Sequence, residues 1–350
     1  YWAKILTCYK GVNVKIGILT FHDAHNYGAV LQAYALKTYL NKDGFDAKII
    51  NYHHYTIPDG YPKENNISRW EKFNKFIFEL IDQEEKTYIS EEELEKLDID
   101  FWICGSDQIW NPELTRGLNK GFFLNFMTKG KKISYATSIG HDRLDEKIEK
   151  EFSKNIEQIE CISVREKSLK NYLKEFTDKN IEQVLDPVFL LEEQDYDKLI
   201  LENKYGEYIL IYELVPDIRL TNVAKKISEN TNIKIIELND KHKENYFCNQ
   251  ISDAGPNEFL TLMKNAKIII SNSFHATAFS IIFNKDFYII SRENKNARME
   301  NILEIVDMKD RLIDNIEDIY NVKSIDYNKA NEKLNVEKNK KKKFLKSALK

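Results

Sequence analysis

Arginine, paired cysteine, long apolar runs and excess basic charge are all missing or scarce in this chain. The four cysteines, Cys8, Cys104, Cys161 and Cys248, lie far apart in 350 residues and form no CxxC pair. They fit reduced thiols in a cytosolic protein better than disulfides or a zinc site. No apolar run approaches the ~20 residues a spanning helix needs. No signal-peptide pattern is seen, and a cytoplasmic location is the expectation. The 52 basic and 56 acidic residues leave a net charge of -4, so no global field argues for nucleic acid. No GxGxxG, HExxH, GxxxxGK[ST], GxSxG or metal-spaced cluster occurs, which argues against common dinucleotide, hydrolase and NTPase chemistries.

What is present is an ordinary globular composition, 42% hydrophobic and 31% charged, in a chain long enough for about two domains. Strand-like and helix-like stretches alternate. Strands are expected at 15–20, 47–52, 100–104, 132–137, 161–165 and 182–185, with helices at 29–40, 69–81, 90–97 and 143–158. Ser90 and Glu93 are placed to form a capping box. The pattern breaks at Asp186-Pro187, and a second series follows. Its strands are expected at 208–212, 233–238, 267–271 and 287–291, with helices at 217–229, 256–265, 274–283 and 297–306. Two such series imply an α/β fold of two doubly wound Rossmann-like domains facing across a cleft. The boundaries are expected at 14–190 and 191–324, followed by a Lys-rich C-terminal helix at 325–350. Residues 1–13 lack periodicity and are expected to be a non-native or dispensable leader. The tail "VEKNKKKKFLKSALK" reads as a solvated helix or as one drawn to the anionic inner leaflet of the membrane.

Only eight of the basic residues are arginine, so each arginine position carries information. A guanidinium is the better fork for carboxylate or phosphate. Arg165 ends a predicted strand, Arg292 follows another, and Arg298 opens the next helix. The alternative is a surface arginine in a weak ion pair. In "TFHDAHNYGAVLQAYAL" the first strand meets its helix through His22, Asp23, His25 and Asn26, a polar loop at a helix N-terminus. Plain capping by Asp23 or Asn26 is the alternative. "FWICGSDQIWNPEL" puts Asp107 and Gln108 after an apolar strand, between Trp102 and Trp110. Such a corner can hold a sugar, although tryptophans there are more often packing than platform. In "IIISNSFHATAFSII" His275 sits between a β-branched strand and an apolar helix. It is either a core histidine or a group facing a ligand at the carboxyl end of a strand.

Taken in order, "NYGAVLQAYAL", "GSDQIWNP", "SYATSIG", "ISVRE", "VLDPVFLL", "GPNEFLTLMKNA" and "SNSFHATAFSIIF" resemble the polysaccharide pyruvyl transferase family over residues 15–311. The resemblance implies a GT-B-like architecture, with the first domain on the acceptor side and the second on the donor side. It implies transfer of pyruvate from phosphoenolpyruvate to two hydroxyls of a cell-surface polysaccharide or lipid-linked sugar precursor. The product is a cyclic ketal, and neither metal nor cofactor is needed. His275 then corresponds to the active-site histidine and Arg165 to a donor-binding arginine. Asn272, Ser273, Phe274, Arg292, Lys295 and Arg298 fall on the donor side, and His22, His25, Asn26, Asp107 and Gln108 on the acceptor side. Many members carry an arginine where this chain has Ser273; either Arg292, Lys295 or Arg298 replaces it, or the donor differs, or activity is lost. Two other readings are a GT-B-type glycosyltransferase using a nucleotide sugar and a non-catalytic glycan-binding descendant.

Overall fold

The computed structural model describes residues 14–53, 66–81, 86–239, 247–292 and 296–350. The expected leader and Lys295 lie outside the described residues. The strands are β1 Lys15–Leu19, β2 Asp46–Ile49, β3 Phe101–Cys104, β4 Lys131–Ser134, β5 Ile162–Val164, β6 Ile181–Gln183, β7 Ile209–Tyr212, β8 Ile235–Leu238, β9 Asn249–Ile251, β10 Ile268–Ser271, β11 Asp286–Ile290 and β12 Leu312–Ile313. The principal helices are α1 Tyr27–Lys42, α2 Ile67–Phe76, α3 Glu146–Glu157, α4 Lys167–Leu173, α5 Ile218–Thr231, α6 Pro256–Asn265, α7 Phe274–Ile282, α8 Ala297–Ile305 and α9 Tyr327–Ala348.

Two compact units result. Unit 1 comprises Tyr1–Pro62, Ile77–Leu190 and Lys341–Lys350, and unit 2 comprises Lys63–Phe76 and Leu191–Lys340. The linear division expected from the sequence misses two exchanges of chain. Helix α2 packs with unit 2, where Asn66 donates to the Ser252 carbonyl at 2.9 Å and Lys72 pairs with Asp253 at 2.8 Å. The last ten residues pack with unit 1.

In unit 1 the parallel order is β2-β1-β3-β4, and β5-β6 continues it through the Ser134 N–H to Cys161 carbonyl bond of 2.9 Å. Strand β3 is buried throughout, which explains its unbroken apolar run. Gly17 lets the Trp102 ring lie against β1, since a Cβ there would stand 3.1 Å from the ring. Helix α1 buries twelve of its sixteen residues, and each of its leucines contributes roughly 1.5–3 kcal/mol by leaving water. Order 2-1-3-4 makes the gap between β1 and β3 the switch point, where open α/β sheets place ligands.

In unit 2 six parallel strands run β12-β11-β10-β7-β8-β9, with the switch point between β7 and β10. Helix α6 starts as the sequence implies, with Pro256 in its first turn and Glu258 accepting from the Gly255 N–H at 3.1 Å. Helix α7 is buried nearly all round, and Phe259 and Tyr196 cover its Phe279, with ring centroids at 5.9 and 5.3 Å. It stops where Asn284 turns left-handed at φ 52°. Strands β9 and β12, three and two residues long, carry no period of their own.

Two local expectations are corrected. Glu93 accepts from the Ile89 N–H at 2.9 Å, and Ser90 makes no cap bond, so no capping box forms. The tail is neither wholly solvated nor apolar-side-out. Leu345, Ala348 and Leu349 are buried, Lys338 pairs with Glu192 at 2.6 Å, and Lys346 pairs with Asp43 at 2.9 Å. No helix among the described residues is long and apolar enough to cross a membrane.

Candidate functional site

At the carboxyl edge of unit 1, the polar residues singled out in the sequence are bonded mostly to one another. His22 is buried; its Nδ1 meets the Thr20 carbonyl at 2.9 Å and its Nε2 meets Asn51 Oδ1 at 3.2 Å. A carbonyl only accepts, so Nδ1 carries the hydrogen. His22 is therefore held at both ring nitrogens by groups of its own unit. Asn26 is exposed and accepts from the Ala29 N–H at 3.2 Å, the capping alternative. Gln32, buried in α1, ties the two loops of the switch point together. It donates to Thr20 Oγ1 at 2.9 Å and accepts from the Ser106 N–H at 3.2 Å.

Arg165 is 97% buried, and its guanidinium faces three carboxylates: Asp186 at 2.6 Å, Asp107 at 3.3 Å and Glu166 at 3.5 Å. Burial alone would lower its pKa, but Asp186, Glu166 and Asp107 outweigh that and raise it further. The guanidinium is thus engaged with three carboxylates of its own unit. It holds Asp107, whose left-handed φ of 78° follows Gly105 at φ 111°. At Gly105 a Cβ would run into the Tyr135 carbonyl, so only glycine fits. Gln108 accepts from Asn111 Nδ2 at 3.0 Å. Trp102 and Trp110 are buried packing, the latter stacked on Phe123 at 5.2 Å. His25 and Gln108 remain partly exposed on this edge.

The carboxyl edge of unit 2 differs. Asn272 is buried; its Oδ1 accepts from the Leu214 N–H at 2.9 Å and its Nδ2 donates to the Val215 carbonyl at 2.7 Å. It bridges the loops after β7 and β10 and is thereby a positioning residue. Ser273 precedes α7 and makes no side-chain cap bond; its N–H donates to Ser271 Oγ at 3.1 Å. His275 is the one residue of Ser271–Ser280 that is not buried, so it is not a sealed core histidine. Its ring meets Phe274 edge-on at 5.2 Å, and the Arg298 guanidinium stands 5.7 Å from the Phe274 ring centre. The structure thus gathers Ser273, Phe274, His275 and Arg298 at one turn. Arg292, just past β11, donates its backbone N–H to Asn296 Oδ1 at 2.7 Å.

Sequence reading missed Arg219, Glu213 and Asn239 on this edge. Arg219 pairs with Asp217 and donates to the carbonyls of Asp314 at 3.0 Å and Ser291 at 2.8 Å, tying the ends of β11 and β12 to α5. Glu213 accepts from the Asp217 N–H at 2.8 Å. Asn239 follows the buried strand β8 and is itself buried, and nothing in the sequence marks it out. A cavity of about 400 Å³ lined by Lys323 and Arg311 lies at the opposite, amino edge of this sheet, where Arg311 pairs with Asp286, and it is no part of the site. No group of His, Cys, Asp and Glu among the described residues could hold a metal ion.

Two parallel α/β units with carboxyl-edge sites define the class by fold, and the solved structures similar to this chain agree. The UDP-GlcNAc 2-epimerase of Methanocaldococcus jannaschii, solved with UDP-GlcNAc and UDP, is 16% identical with a TM-score of 0.50 over 92% of each chain. The UDP-N-acetylglucosamine 2-epimerase of Rickettsia bellii is 14% identical with a TM-score of 0.51, over 96% of this chain and 97% of that one. An alpha-glucosyltransferase solved with UDP and a 13-mer DNA is 11% identical with a TM-score of 0.53 over 95% of each chain. The fold is of GT-B type. Within that class the chain belongs to the polysaccharide pyruvyl transferase family, an enzyme family whose model matches residues 26–294. No curated protein matches the chain.

Proposed function

We propose that the chain moves pyruvate from phosphoenolpyruvate onto two hydroxyls of a surface-glycan precursor, without metal or cofactor. The observation that carries the reading is the turn after β10. There a partly exposed histidine opens an apolar helix, with a guanidinium over the neighbouring ring. Phosphoenolpyruvate brings a carboxylate and a phosphate. The first-turn N–H groups of α7 and a cation beside them match such anions. Arg298 takes the part of the arginine that Ser273 lacks, and Arg292 and Lys295 stand close in sequence to extend the positive charge.

The chemistry needs a proton at the methylene carbon of the enol. A sugar hydroxyl then attacks the cationic C2, phosphate leaves, and a second hydroxyl closes the ketal. The His275 imidazole, which has one nitrogen to donate and one to accept, is the group to deliver and accept these protons. On unit 1, Asp107 held by Arg165, with His25 and Gln108, supplies polar groups for the acceptor. The cytoplasm is the compartment that supplies the donor, and the exposed lysines of α9 add electrostatic attraction to an anionic leaflet.

Phosphate release from phosphoenolpyruvate, measured across a panel of acceptor glycans, tests the reading. His275→Ala should lower the rate about 10²–10⁴-fold at unchanged melting temperature; an unaffected rate would remove His275 from the chemistry. Ser273 favours a second reading, a glycan-binding descendant without transfer. Glycan binding with no phosphate release from the native chain would select it.

A further inference from the structure

Asn239 is 7% exposed, and among the described residues neither its Oδ1 nor its Nδ2 has a hydrogen-bond partner, although its backbone N–H donates to the Ile251 carbonyl at 3.2 Å. Buried amides in folded proteins are nearly always satisfied, and an exception calls for a reason. This one sits one step past the register pair Tyr212 with Leu238. That level holds Glu213 after β7 and, because Ser271 pairs with Tyr212, Asn272 after β10. The unsatisfied amide therefore lies on the carboxyl edge of unit 2, on the other side of β7 from the His275 turn.

We propose that Asn239 is a binding residue for hydroxyl groups of the glycan, and that unit 2 carries part of the acceptor subsite on its β8 side. The proposal rests on the sugar-acceptor reading above. A carboxamide offers a donor and an acceptor together, the complement of a hydroxyl; an ionised carboxylate or phosphate can only accept and would leave Oδ1 unsatisfied. Glu213 adds negative charge at the same level, which repels an anion and suits a hydroxyl donor. Leu214 and Val215, 42% and 40% exposed on the loop after β7, present apolar surface to the C–H face of a sugar ring. The edge is thus divided: cationic groups at β10, β11 and α8 take the anionic donor, and the β7 and β8 ends take hydroxyls.

The test uses the full chain with Asn239→Leu, nearly isosteric, and Asn239→Ala. Binding of methyl glycosides of gluco, galacto, manno and 2-acetamido-gluco configuration is followed by saturation-transfer NMR. The response to phosphoenolpyruvate is read as a shift in melting temperature. The expected result is binding of at least one glycoside to the native chain, weakened about tenfold or more in both variants. Their melting temperatures should be unchanged or higher, since an orphaned polar group has been removed, and the phosphoenolpyruvate shift should persist. Unchanged glycoside affinity, absent glycoside binding to the native chain, loss of the phosphoenolpyruvate shift alone, or a melting temperature lowered in both variants would overturn the assignment. A native chain that binds glycoside through Asn239 but ignores phosphoenolpyruvate would sink the pyruvyl donor and leave the assignment standing.

Discussion

The two units carry polar residues at equivalent places, the carboxyl edges at their switch points, and use them differently. In unit 1 the groups are engaged within the unit: Arg165 is shared among Asp186, Asp107 and Glu166, and both His22 nitrogens meet oxygens of Thr20 and Asn51. In unit 2 Arg219 and Asn272 tie the loops together, while His275 stays partly exposed in an otherwise buried stretch. A buried network whose members complete each other stabilises and orients loops. A turn that keeps a partly exposed histidine next to a ring bearing a cation can act on a ligand. Residue type at a strand end therefore says little until its partners are known.

The comparison breaks most visibly at Arg165. Arg165→Ala leaves Asp186 buried without its cation and should cost about 3–5 kcal/mol in urea unfolding; a loss below about 1 kcal/mol would mean the cage is ornamental. Asn26→Ala removes the cap of α1 and should cost about 1 kcal/mol; an unchanged midpoint would return Asn26 to the list of ligand contacts. The smallest effect concerns His53. Burial lowers its pKa below 6.5, against the opposing pull of Asp23. The unfolded chain then binds more protons as pH falls below about 6.5, so stability declines from neutrality into the acid range. His53→Gln should flatten that slope in melting temperature between neutral and mildly acid pH; an identical slope would exclude His53 as a source.

Much of this was legible before any coordinates. A short β-branched run followed by a mostly apolar helix, as in Ile268–Ser271 and Phe274–Ile282, survives as written because both faces are buried and the hydroxyls of Thr277 and Ser280 bond back to carbonyls four residues earlier. What sequence could not reveal is pairing at long range. Arg165 meets Asp186 across 21 positions and Asp107 across 58, so its engagement is invisible to local pattern. Helix α2 shows an apolar face, but nothing in that face says it packs with unit 2. Asn239 reads as an ordinary strand-end residue; only its lack of partners distinguishes it.

The central claim is that the donor anion is held at the turn after β10, with Arg298 standing in for the arginine absent at Ser273. Calorimetric titration of phosphoenolpyruvate into the native chain and into Arg298→Ala tests it most directly. The account predicts affinity weakened about tenfold or more, with the melting temperature of the ligand-free variant unchanged. Equal affinity in the two proteins would contradict it.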